Sequence, residues 1–309
     1  MKEKSTVLLS AALIACLVAG CGVGSGNPKE MERPQKGEAV GMAGKQVRDL
    51  TVAEEVEVDR AEEKLVEKCM ERQGHRYWPA PVASIAERKA GAYVVDDVDW
   101  ARRYGYGRPF DIAAEEARRS HPSVTYPNAL PEQEHIRYSR ALDGDFDDVI
   151  SVELPSGGTT RTPRDGCYAE ARERLYGDYP TWFRVKKTVT GLTPLYVPRI
   201  LRDERLVTAV KAWSRCMDES GNPFSSPDEI RQKRDSLVKG MNASQAQSAE
   251  VKLAVAEAEC ARKTSLGETA RSLEGEYREK TLRDYSEEFA TYQQMRMTAL
   301  PRARNFESR

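Results

Sequence analysis

From about residue 50 the apolar positions fall at helical spacing. In VAEEVEVDRAEEKLVEKCMER, Val52, Val56, Leu65 and Cys69 line up by steps of three and four with acids between them, and Gly74 supplies a stop. The same pattern predicts helices over about 200–218 and 245–264, with Ser226-Pro227-Asp228-Glu229 reading as a helix start in the loop between them. A last long helix is expected over about 267–299, its stripe carried by Ala270, Leu273, Tyr277, Leu282, Tyr285, Phe289, Tyr292 and Met295, with Pro301 closing it. Residues 150–167 read differently. Ile150, Val152 and Leu154 alternate, Ser156-Gly157-Gly158 turns the chain, and a Thr-rich return strand leads to Cys167. The fold class expected is mainly α with a small β-hairpin.

Two helix ends repeat one another. KLVEKCMERQGHRY (64–77) and KAWSRCMDESGNPF (211–224) match at Lys64/Lys211, Cys69/Cys216, Met70/Met217, Glu71/Asp218, Gly74/Gly221 and Tyr77/Phe224. Each copy is followed by one more cysteine, Cys167 and Cys260, that begins or interrupts a helical stretch. This order points to two related helical units, 48–199 and 200–309. The first carries an insertion at 90–126 rich in aromatics: Tyr93, Trp100, Tyr104, Tyr106, Phe110 and Tyr126.

The N-terminus has another character. Lys2 and Lys4 precede VLLSAALIACLVAG (7–20), an apolar run too short to span a bilayer comfortably, where about 20 residues are needed. Val18-Ala19-Gly20-Cys21 resembles the lipobox of bacterial lipoproteins. That resemblance implies cleavage after Gly20, diacylglyceryl attachment to Cys21, and a chain anchored to membrane lipid on the extracytoplasmic face. Residues 1–20 are then a signal peptide, and the Gly/Pro-rich stretch 21–47 a flexible tether.

That address changes the meaning of six cysteines in 309 residues. Cys16 is discarded and Cys21 lipidated, leaving four in an oxidising compartment. Four allow three pairings; the duplication favours Cys69–Cys167 and Cys216–Cys260, against free thiols or a metal site. No C-x-x-C spacing supports zinc.

Charge is nearly balanced, 48 Lys+Arg against 49 Asp+Glu, which excludes a broadly basic nucleic-acid binder. The three histidines, His75, His121 and His135, form no H-E-x-x-H or similar metal spacing. Ser236-Leu-Val-Lys239 matches S-x-x-K, but no K-T-G follows it. Asp143-Gly-Asp145-Phe-Asp147-Asp148 opens like a calcium loop, yet lacks the glycine and terminal glutamate of one. No cofactor is called for.

Tyr93-Val-Val-Asp-Asp97 with Gly105-Tyr-Gly107, Asp165-Gly-Cys167 with Arg174-Leu-Tyr-Gly177, Pro194-Leu-Tyr-Val-Pro198, both Cys-Met segments and Ala299-Leu-Pro-Arg302 form a further set. Together they resemble a family of uncharacterised actinobacterial, Streptomyces-type membrane-anchored lipoproteins. The resemblance implies an envelope location and paired cysteines, and carries no activity. The leading expectation is a non-enzymatic accessory or interaction protein of the cell envelope with an envelope protein as partner. The alternatives are a cell-wall hydrolase using Asp96, Asp97 and Asp99 within 90–150, and small-ligand capture in a cleft between the units.

Overall fold

The computed structural model describes residues 48–307. The segments expected as signal peptide (1–20) and tether (21–47), with the expected lipidation residue Cys21, lie outside the described residues. From the N-terminal side the helices are α1 (Val52–Arg72), α2 (Ile85–Lys89), α3 (Val98–Tyr104), α4 (Arg108–Ser120), α5 (Pro122–Asn128) and α6 (Glu132–Asp143). A hairpin of β1 (Val149–Glu153) and β2 (Thr159–Pro163) follows. Then come α7 (Cys167–Tyr176), α8 (Tyr179–Thr190), α9 (Thr193–Ile200), α10 (Glu204–Glu219), α11 (Pro227–Leu237) and α12 (Ala243–Lys263). The last two are α13 (Leu266–Leu282) and α14 (Ser286–Glu307). The fold is mainly α with one small hairpin.

Local chemistry explains most boundaries. Thr51 and Glu54 form a reciprocal capping box at the start of α1, and Arg48 holds the Glu54 carboxylate at 2.6 Å. Ser226 caps α11, with Pro227 at its first helical position. In the hairpin Ile150 pairs with Thr162 and Val152 with Thr160, which turns both apolar side chains into the core.

The matched segments end their helices in one geometry. His75 N–H reaches the Met70 carbonyl at 2.9 Å, and Asn222 N–H reaches the Met217 carbonyl at 2.8 Å. Gly74 N–H bonds Glu71 and Gly221 N–H bonds Asp218, completing two Schellman caps. These caps need left-handed backbone, and Gly74 and Gly221 supply it at φ +80 and +79.

Two apolar clusters form the core, and their contributors interleave along the chain. The first gathers α1, Tyr138, the hairpin, α7, α8 and the far end of α14. The second gathers residues 94–106, α9, α10, α12 and α13. Segments preceding residue 199 thus build the second cluster, and the C-terminal helix builds the first.

The long C-terminal helix expected over 267–299 is two helices joined by a 3-10 turn at Arg283–Tyr285. Its apolar stripe explains the break. Positions up to Phe289 pack on the second cluster, and Tyr292 and Met295 on the first. The tighter turn rephases the stripe as it passes from one cluster to the other. Pro301 does not close the helix either: it sits exposed inside α14, while Ala299, Leu300 and Ala303 are buried. Packing on α1, α7 and α8 outweighs one missing N–H on a solvent face.

Candidate functional site

Among the described residues all four cysteines are joined, Cys69 to Cys167 and Cys216 to Cys260, with Cα–Cα distances of 5.5 and 5.6 Å. Each crosslink starts in the last turn of a Cys-Met helix. The second members differ, since Cys167 opens α7 whereas Cys260 stands near the end of α12. The duplication thus holds for the helix ends and the crosslinks, and not for the partner helices.

A concavity of about 830 Å³ lies over the start of α3. Its lining includes Asp96, Asp97 and Asp99 together with Arg102, Arg262 and Arg271. Each aspartate is occupied. Asp96 pairs with Arg271 at 2.5 Å, and Asp99 with Arg102 at 2.9 Å. Asp97 caps α3 by accepting the Trp100 N–H at 3.0 Å and also pairs with Lys89. The Trp100 N–H and Lys89 hold the Asp97 carboxyl below its usual range, so it remains ionised. Burial raises the carboxyls of Glu63, Glu67, Asp143 and Glu257, and all of these lie outside the cleft.

The aromatic insertion is packing material. Trp100 is buried against Tyr104 and Phe110 and donates its indole N–H to the Ala86 carbonyl at 3.0 Å. Tyr126 packs edge-on to Trp78 and Tyr138. Tyr93 lines an apolar cavity of about 350 Å³ beside the cleft, and Trp100 forms part of the wall of a smaller one of about 270 Å³. The other walls of the Tyr93 cavity include Val94, Val197, Ile200, Leu206 and Arg271. That cavity and the cleft share Arg271, so a charged rim adjoins an apolar floor. That arrangement suits binding; Asp96, Asp97 and Asp99, the acids expected to act on a glycan, are engaged as a cap and ion pairs, and Glu259 is a further acid of the cleft.

The remaining sequence candidates serve local structure. His75 packs edge-on to Tyr138, His121 caps α5, and His135 Nδ1 donates to the Pro127 carbonyl at 2.7 Å. Ser236 Oγ donates to the Lys233 carbonyl. Asp145 pairs with Arg140, and Asp148 with Arg164 at 3.2 Å. Among the described residues no group of three or more His, Cys, Asp or Glu is placed to hold a metal.

Sequence reasoning misses two buried, multiply bonded glutamates on α12. Glu257 accepts from the Tyr106 hydroxyl at 2.7 Å, the Val95 N–H at 3.0 Å and Arg231 at 3.3 Å. Two turns earlier, Glu250 pairs with Arg108 at 2.5 Å and Arg234 at 2.9 Å. A faint signal exists. Both acids fall on the stripe Ala246, Glu250, Ala254, Glu257, Ala261, whose other members are small and buried. Gly105 lets α3 approach there; a Cβ would stand 3.2 Å from the Glu250 side chain. Together these groups lock the α3 segment onto α12.

No family model matches the chain, and neither a curated protein nor a solved structure shows significant similarity to it.

Proposed function

We propose that this chain is an extracytoplasmic lipoprotein, held to membrane lipid through acylated Cys21, that acts as a non-enzymatic interaction protein of the cell envelope. The location is supported by the lipobox-like Val18–Cys21 and by two crosslinks of a kind that persists in oxidising compartments. The interaction reading is carried by the excursion from α4 to Phe146. Its three helices bury one side chain, Tyr138. Ile112, Ile136 and Phe146 on the same excursion are 52 %, 57 % and 71 % exposed. A segment that gives so little to the core and shows that much apolar surface fits a protein partner better than a role in folding.

Crosslinking in intact membranes, comparing wild type with an Ile112→Asp, Ile136→Asp, Phe146→Asp variant, tests the reading. A discrete adduct should form with wild type and vanish in the variant without a change in melting temperature. Recovery of a free monomer only, or an adduct indifferent to the three changes, overturns it. Anchoring is tested separately, since Cys21→Ser should release the chain from the membrane fraction. Retention of that variant would refute a lipid anchor.

A further inference from the structure

On the opposite cluster, α1, α8 and α14 enclose a second pocket of about 230 Å³. Its charged lining consists of Glu55, Asp59, Arg88, Lys186 and Arg296. Both carboxylates are taken by arginines. Arg88 pairs with Asp59 at 2.5 Å and with Glu55 at 3.4 Å, and Arg296 also pairs with Glu55. Glu62, the next acid along α1, is held by Arg172 at 2.9 Å. Asp49 lies 3.6 Å from Arg296. Lys186 is left over: among the described residues no carboxylate lies within ion-pair distance of its ammonium.

What Lys186 does touch does not replace an anion. Its ammonium sits 5.5 Å from the centre of the Trp182 ring, one turn back on α8. Trp182 is also stacked, nearly parallel, with Tyr176 at 3.6 Å and Tyr292 at 5.4 Å. Burial pushes the lysine ammonium down, outweighing the pull of the Glu62 and Asp59 carboxylates, which lie beyond ion-pair distance and are held by arginines. Arg88 spends three of its five N–H donors on Ala83, Glu55 and Asp59, so it and Arg296, on the same pocket as Lys186, each retain donors.

We propose that this pocket is a binding site for a small oxyanion group, a carboxylate or a phosphoryl, with Lys186 as its charge partner and Arg88 and Arg296 as supporting donors. A volume of about 230 Å³ is room enough for a small anion or the anionic end of a larger ligand.

The test titrates the whole chain with acetate and, separately, inorganic phosphate, each at constant ionic strength set by chloride. The melting temperature should rise saturably with at least one anion, and the anion that acts names the source, carboxylate or phosphoryl. The rise should disappear in Lys186→Met and persist in Lys187→Met. A second measurement needs no variant: acetic anhydride labelling mapped by mass spectrometry should show Lys186 protected by the active anion and Lys187 unprotected. Equal shifts in wild type and Lys186→Met, no saturable effect of either anion, or no protection of Lys186 each overturn the proposal.

Discussion

Met70 and Met217 stand 147 residues apart and occupy equivalent places. Each is fully buried three residues before the cap of its helix, and each carbonyl receives the N–H five residues on. Each follows a crosslinked cysteine and precedes a glycine with φ near +80. The two helix ends are one structural device used twice, in separate clusters.

Substituting either glycine therefore has a common cost. A Cβ at Gly74 or Gly221 meets nothing within 4 Å, so the penalty is conformational alone. Gly74→Ala and Gly221→Ala should each destabilise the protein by about 1 kcal/mol. The double variant should lose about twice that, because the sites share no partners. Urea unfolding should show a lower midpoint with an unchanged slope. A loss at one position only would show that the two ends are not equivalent.

The crosslinks should contribute in order of the loops they close. In the chain-entropy picture the loop of 98 residues is worth about 4.7 kcal/mol and that of 44 about 4 kcal/mol, both upper figures. Calorimetry of Cys69→Ala/Cys167→Ala and Cys216→Ala/Cys260→Ala is expected to find the first pair the more costly. Alkylation without reductant should leave all four thiols unmodified; ready labelling of any of them would contradict the pairing.

Two glutamates should give stability opposite pH slopes. The Glu229 carboxyl is lowered from 4.5 to about 2 by Lys233 and Ser225. Its contribution is present above the unfolded value and is lost as pH falls from about 4.5 toward 2. Burial raises the Glu257 carboxyl above 4.5, so the folded state holds that proton longer, and stability falls as pH rises through the folded value. Melting curves against pH should be flatter on the acid side in Glu229→Gln, and should lose the fall above pH 4.5 in Glu257→Gln. An unchanged profile in either variant would deny that group its role.

Neither 48–199 nor 200–309 should fold cooperatively when expressed alone. The first lacks α14, which packs on α1, α7 and α8; the second lacks the Val95 and Tyr106 groups that satisfy Glu257. There Glu257 keeps Arg231 but loses two hydrogen-bond donors, each worth about 1.5–3 kcal/mol to a charged group. A sharp thermal transition in either half would mean that the interleaving is dispensable.

The legible parts of this fold are those governed by near neighbours. Gly74 and Gly221 mark helix ends because only their φ permits the cap. Ser226-Pro227 marks a start, and Ile150/Val152 with Gly157-Gly158 mark a hairpin. What stays hidden depends on distant partners. Pro301 reads as a terminator until Ala299, Leu300 and Ala303 are seen buried around it, and the break at residue 283 reflects two clusters that one stripe must serve. The aromatics of 90–126 look like a binding platform in sequence, yet Trp100 and Tyr106 face inward onto α2 and α12. Glu257 is one acid among many in VAEAECARK, and its partners lie 162, 151 and 26 residues away. Lys186 carries no sequence mark at all, for its isolation follows from arginines on α2 and α14 claiming the acids of α1.

The crosslinks also set how far the molecule can be drawn out under load. A pull applied between residues 48 and 307 cannot extend the 98 residue steps behind Cys69–Cys167 or the 44 behind Cys216–Cys260, together more than half of that path. At about 3.5 Å per residue the oxidised chain reaches a contour length of roughly 40 nm, against roughly 90 nm once both bonds are reduced. Unfolding by force is thereby limited to short excursions, and a reductant more than doubles the reach.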